Sequence, residues 1–178
     1  MNLFHLSQDQ NIHRFVPRPI QNRQAWPHLP PKAVWAVSSE MAHNYYLPRQ
    51  CPRVCRMPGP KTTRIEMQEF SQFGDYRAVI FVPEHWMAAI KQTVLYRYTF
   101  NPLYFYPVDF NAGYYISTRI EEPTAVQTIQ DLPRALHEAQ VLLKYVPDLT
   151  AYAQENLQSN FRFSNIRMKN LHSPPIIN

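Results

Sequence analysis

The sequence predicts an α+β fold with a largely antiparallel, strongly curved sheet and short helices, on three observations. Strand-like segments are numerous, short and mostly alternating, and the helices between them keep no regular strand–helix rhythm. The 17 prolines, densest between residues 17 and 60, cut the chain into short elements and argue against long helices. Hydrophobic residues make up 45% of the 178, with 11 tyrosines and 10 phenylalanines, which is unlike a disordered chain. That length and composition fit one core, so a single domain is expected over residues 1–173, with a loose tail at 174–178.

The elements follow in order. Residues 2–7 read as a strand, with Leu3, His5 and Ser7 on one face and Phe4 and Leu6 on the other. Residues 8–32 are polar, arginine-bearing and proline-rich, and form a mostly irregular connection. KAVWAV at 32–37 is a second strand. Ser38 or Ser39 can cap a short helix over 40–46, because a serine oxygen accepts an unpaired N–H of the first turn; Pro48 ends it. Residues 57–74 carry no clear pattern.

YRAVIFV at 76–82 is a strong strand, and Pro83 suits the first turn of a helix running to residue 91, with Trp86, Ala89 and Ile90 on one side. In the strand at 93–100, Val94, Tyr96, Tyr98 and Phe100 share one face, and Leu95, Arg97 and Thr99 the other. Residues 113–120 and 125–129 continue the strand pattern. A helix over 131–140, a strand over 141–146 and a helix over 148–157 complete the chain.

The formal charge of +5 is unevenly placed. Residues 1–64 hold nine basic residues (Arg14, Arg18, Arg23, Lys32, Arg49, Arg53, Arg56, Lys61, Arg64) against two acids, Asp9 and Glu40. Residues 65–178 hold nine basic and eleven acidic residues. Arginine outnumbers lysine thirteen to five, and its planar fork suits bidentate contact with phosphate or carboxylate. A basic first third points to an anionic partner, an anionic small molecule or nucleotide with RNA as another candidate; the alternative is a solvated basic surface.

Several function classes drop out. With glycine at Gly59, Gly74 and Gly113 alone, the chain has neither a dinucleotide fingerprint nor a phosphate loop, both of which need close-spaced glycines for backbone approach to phosphate. It has no GxSxG elbow, HExxH motif or EF-hand loop. Cys51 and Cys55 form one pair, CPRVC, without the second pair of a zinc site, so reduced thiols are expected there; a redox pair is the alternative. No metal is expected. No run reaches the roughly 18 apolar residues of a membrane span. MNLFHLSQ lacks the pattern of a secretion signal, so a cytoplasmic location is expected.

Three segments are richer in function-capable residues than packing requires. In LFHLS, His5 and Ser7 share a strand face and can orient a ribose or move a proton. In NYYLPRQCPR, Tyr45 and Tyr46 can stack while Arg49 and Arg53 supply charge. Arg97, Tyr114, Ser117 and Arg167 lie on strand-like or late segments where an arginine pairs structurally or faces a cleft. The bland alternatives are a hydrogen-bonded strand histidine, a core tyrosine and surface arginines.

LFHLSQDQNIHRFVPRP, VWAVSSEMAHNYYLPRQCPRV, LYRY, AGYYIS and FSNIRMKN together resemble a small bacterial family of unknown function, over most of the chain. Across its first third the chain also resembles the ADP-ribosyltransferase superfamily, which includes the RNA 2′-phosphotransferases. Those proteins open on a strand with a histidine, matched by His5. They carry an aromatic after the second strand, matched by Tyr45 or Tyr46. Leu6 stands where their motif has glycine, and no late glutamate is identified: Glu155 falls on an expected helix.

The combined expectation is a cleft lined by His5, Tyr45, Arg49, Arg53 and Arg97 that binds an anionic, nucleotide-like ligand. In the transferase reading His5, Arg97 and Arg167 act on NAD or a phosphorylated ribose, and Ser7, Tyr45, Arg49, Arg53 and Tyr114 bind it. The competing class is a non-catalytic binding or protein-interaction module.

Overall fold

The computed structural model describes residues 1–21, 24 and 26–175. Arg23 and the end of the tail expected to be loose lie outside the described residues. Along the chain the strands are β1 (Leu3–Ser7), β2 (Arg18–Pro19), β3 (Lys32–Ser38), β4 (Arg53–Met57), β5 (Ala78–Pro83) and β6 (Leu95–Phe100). Then come β7 (Tyr106–Asp109), β8 (Tyr114–Ser117), β9 (Ala125–Ile129), β10 (Val141–Val146) and β11 (Arg162–Ile166). The helices are α1 (Arg64–Phe70), α2 (Met87–Gln92), α3 (Leu132–Glu138) and α4 (Thr150–Gln158). Short helices among mostly antiparallel strands bear out the α+β expectation. Among the described residues no helix is long and apolar enough to cross a membrane.

The contacts gather into two compact units, each assembled from two stretches of chain: residues 1–42 with 96–128, and residues 43–95 with 129–178.

The first unit is one sheet in the order β7-β8-β3-β1-β6-β9, with β2 also paired to β3. β1 runs antiparallel to both β3 and β6. Alternation then sorts the side chains. One face packs Leu3, Val34, Ala36, Tyr98, Phe100 and Tyr115 against Phe15, which comes from the irregular 8–32 connection. Phe15 meets Tyr98 and Phe100 edge-on, with centroids 5.2 and 4.9 Å away. The other face packs Ala33 and Ile116 with Ile20 and Leu29. Gly113, at φ +70°, turns the chain into β8; a Cβ there would lie 2.5 Å from Ser38 Oγ and 2.7 Å from Met41 Cγ.

The second unit is a four-stranded sheet, β10-β5-β4-β11, in which only β10 and β5 run parallel. One face buries Val54, Val79, Phe81 and Val146 under Phe70, Leu149 and Phe161. Helix α1, unread in the sequence, has a full capping box: Thr63 Oγ1 accepts from the Glu66 N–H, and the Glu66 carboxylate accepts from the Thr63 N–H. That carboxylate also accepts from the Asn160 N–H, and these backbone donors hold it down at about 2.

Two expected helices take other forms. The chain over 40–46 tightens into a 3₁₀ turn at Ala42–Tyr45, because Met41 N–H already closes a turn on the Ser38 carbonyl. Pro83 ends β5 rather than starting a helix; a 3₁₀ turn at Glu84–Trp86 then leads into α2. Trp86, Ala89 and Ile90 are buried together as their spacing required.

Candidate functional site

Four of the expected site residues, His5, Ser7, Arg97 and Tyr114, belong to the first unit. β1 pairs with β6 so that His5 lies opposite Tyr98 and Leu6 opposite Arg97. The two-residue period of a strand therefore puts His5 and Arg97 on opposite faces of the sheet, and they do not line one pocket. Arg97 instead lies over the Phe4 ring at 4.5 Å and donates to Gln127 Oε1. On that same face the Tyr114 ring packs edge-on against Trp35 at 5.7 Å.

His5 is half-buried beside Phe15, ring centroids 4.9 Å apart. Its Nδ1 lies 3.0 Å from the Trp35 carbonyl oxygen. A carbonyl only accepts, so Nδ1 carries the proton and, in the neutral ring, Nε2 is the acceptor. Ser7, two residues on and on the same face, accepts from the Asp9 N–H at 3.1 Å.

A glutamate outside the expected site residues shares the neighbour Phe15. Glu121 is buried and its backbone pairs with Phe15 in both directions, at 2.8 and 3.0 Å. Its carboxylate accepts from Ser117 Oγ at 2.6 Å. The available signal was Ser117, in a segment read as strand, followed four residues later by an acid just beyond that segment. Next to this bridge, residues 10–14 and 122–126 face each other across an open groove of about 550 Å³, spanned by the Arg14–Glu122 ion pair at 3.5 Å.

The other four residues, Tyr45, Arg49, Arg53 and Arg167, belong to the second unit and gather at one end of its sheet. The pairing of Ile166 with Arg53 fixes that end. Beyond it Arg167 takes a left-handed conformation, φ 56°, and starts a turn closed by Asn170 N–H on the Arg167 carbonyl. Asn170 Nδ2 donates to the Gln50 carbonyl and to Gln50 Oε1, at 2.9 and 3.0 Å. The 48–50 loop and the 167–170 turn are thus tied together. Arg49 and Lys169 are exposed and Arg167 is half-buried.

Arg53 departs from its expected role. It is 2% exposed, and its guanidinium donates to the carbonyls of Asn44, Pro48 and Cys51 at 2.8, 3.3 and 2.9 Å. Its Cζ lies 5.5 Å from the Tyr45 ring centroid. Those bonds take Arg53 out of the ligand-holding set: it shapes the loop that carries Arg49.

Residues 41–65 contain five cations and no acid, and residues 156–178 contain three cations and no acid. The β4–β11 pairing makes these two stretches neighbours. Glu155, just outside them, is held by Arg56 at 3.1 Å.

Cys51 and Cys55 are both buried free thiols. Burial is the main cause that pushes each from 9.0 up to about 12, outweighing the opposing pull of Arg53. Among the described residues no group of three or more His, Cys, Asp or Glu could hold a metal ion. The raised values fix a sign. Between pH 9 and 12 the folded state keeps thiol protons that the unfolded chain gives up. This contribution is intact below pH 9 and is lost as pH climbs towards 12, by ~1.4 kcal/mol per thiol for each pH unit. Urea titrations across that window are expected to show a smaller stability loss in Cys51→Ala/Cys55→Ala than in the unaltered chain. A disulfide reagent near neutral pH should find neither thiol until denaturant is added; rapid native modification would contradict the burial argument.

Comparison with known proteins adds one match. A family model described as "Family of unknown function (DUF6886)" covers residues 4–171. The chain belongs to that family. No curated protein and no solved structure matches it. The DUF6886 match takes in both units, from Phe4 on β1 to Leu171 beyond β11.

Proposed function

We propose that this DUF6886 member binds an anionic, nucleotide-like ligand at the Arg53–Ile166 end of the second unit. One observation carries the reading: Asn170 ties the 167–170 turn to Gln50, so two acid-free stretches present Arg49, Arg167 and Lys169 together. Cations gathered without acids in their own stretches favour phosphate. Tyr45, half-buried beneath Arg53, supplies a ring at the same end. Both cysteines are free thiols, as a reducing compartment leaves them, which supports a cytoplasmic location.

The test is a thermal-shift series with adenine nucleotides, NAD and ribose phosphates. A ligand at a hundredfold excess over its dissociation constant stabilises the fold by ~2.7 kcal/mol. The shift is expected to shrink as salt rises, because exposed charge contacts are screened. Arg49→Ala and Lys169→Ala should cut the shift while moving the unliganded stability by less than ~0.5 kcal/mol. Flat melting curves with every such ligand would remove the reading.

A second reading, transfer chemistry, rests on the first unit. Glu121 is joined by its backbone to Phe15, whose ring meets His5, so Phe15 links a buried glutamate to the first-strand histidine. That arrangement fits the ADP-ribosyltransferase resemblance, with His5 orienting a ribose. Released nicotinamide from NAD, lost in His5→Ala and Glu121→Gln, would support it. Intact NAD after prolonged incubation would leave binding alone.

A further inference from the structure

We infer that the occupant of the basic end of the second unit is a single-stranded polynucleotide lying along β11; this rests on the anion reading of the same site. The opposite end of the same strand pair is basic too. There Met57 lies opposite Arg162, and Lys61 and Arg64 follow, both exposed. The two ends are separated by the length of β11. From Arg162 to Arg167 an extended strand covers roughly 17 Å at ~3.3 Å per residue. That is about two Debye lengths at physiological salt, so a mononucleotide seated on Arg49 and Arg167 gains almost nothing from Lys61 and Arg64. A chain with a phosphate at every nucleotide reaches both.

Near the Arg162 end the strand adds one ring, that of Phe163, which lies opposite Arg56. β11 is the outer strand of its sheet and Phe163 on it is 37% exposed. Cations at both ends of an outer strand and an exposed ring on it are the parts that hold single strands: charge follows the backbone, and bases stack on the ring without regard to sequence. Three carboxylates near this surface are held by local partners, without loss of their charge. Glu66 accepts from the Thr63 and Asn160 N–H groups, Glu155 pairs with Arg56, and Asp148 accepts from the Thr150 N–H.

Fluorescence anisotropy with a labelled polyuridine RNA of about twelve nucleotides, its DNA counterpart and unlabelled uridine monophosphate as competitor tests this on the full chain. About five neutralised phosphates give a salt slope near −3.5, so affinity for the oligonucleotide should fall roughly 100-fold between about 50 and about 200 mM salt. Lys61→Glu/Arg64→Glu should weaken oligonucleotide binding at least ~10-fold and leave the monophosphate untouched, while Arg49→Glu/Lys169→Glu should weaken both. Melting temperatures verify the fold of each pair, and Lys61→Gln/Arg64→Gln replaces the first pair if it melts early. RNA and DNA binding alike supports contacts to backbone and base faces; RNA binding tighter supports added contacts to the 2′-hydroxyl. An oligonucleotide that binds no tighter than the monophosphate, or is indifferent to Lys61 and Arg64, overturns the polynucleotide and leaves the anion site standing. Silence from oligonucleotide and monophosphate together overturns both.

Discussion

Arg53→Ala is expected to cost about 3–5 kcal/mol of stability, lowering the melting temperature by roughly 10 °C or more. The reason is what the side chain leaves behind. Three loop carbonyls, on Asn44, Pro48 and Cys51, take their hydrogen bonds from one guanidinium that is almost wholly shut off from water. A buried acceptor stripped of its donor loses ~1–3 kcal/mol, and the Asn44 and Cys51 carbonyls lose theirs together, while the Pro48 carbonyl keeps the Cys51 N–H. Arg53→Lys is expected to recover only part, because a single ammonium group cannot replace a planar fork that bonds from two of its nitrogens. Arg49→Ala, four residues earlier and exposed, should hardly move the melt. Equal effects from the two arginines in a differential scanning experiment would mean that Arg53 is not the loop's anchor.

Asn156→Leu is expected to be of similar size, about 3–4 kcal/mol. Asn156 is fully buried on α4. Its Oδ1 accepts from Arg56 Nε at 2.7 Å, and its Nδ2 donates to Asn165 Oδ1 at 2.9 Å and to the Cys55 carbonyl at 3.3 Å. One amide thus satisfies groups on β4 and β11 from the helix that covers them. Leucine fills similar space and answers none of them, and it leaves the partly buried Arg56 cation short of a partner. Arg56 also lies over the Phe81 and Phe161 rings, at 5.9 and 5.4 Å, so Arg56→Met should cost less than Asn156→Leu by keeping that packing. A double-mutant cycle between positions 56 and 156 should return a coupling of about 1–3 kcal/mol; additivity would sink the shared-network account.

These two side chains mark where sequence reasoning reached its limit. Strands with clean alternation were legible: residues 125–129 and 141–146 were bounded correctly, and the two faces of β6 were assigned as they stand. β4 and β11 were not, because RVCRM and RFSNI put arginine, serine and asparagine where an alternating pattern expects apolar residues. The partners that make those polar residues acceptable, such as Asn156 for Arg56, lie 100 positions away. The candidate site divided along similar lines. That His5 and Arg97 sit on strands was readable from composition and spacing. That they face opposite ways follows from the pairing of Leu6 with Arg97, which no local pattern encodes. The clustering of Arg49 with Arg167 depends on Asn170 reaching Gln50, 120 positions apart, yet the absence of acid from both stretches was visible in the sequence all along.

The strand order of the first unit sets a schedule for synthesis. β1 lies inside its sheet, between β3 and β6, and Leu3 must find Phe100. At roughly 5–20 residues per second, a ribosome delivers Phe100 about 5–20 s after Leu3. β3 arrives much sooner and can cover one edge of β1, but the other edge stays bare until the whole of the intervening second-unit stretch has been made. For those seconds the nascent chain carries an unprotected, largely apolar strand, the kind of edge that recruits a neighbouring chain if nothing shields it.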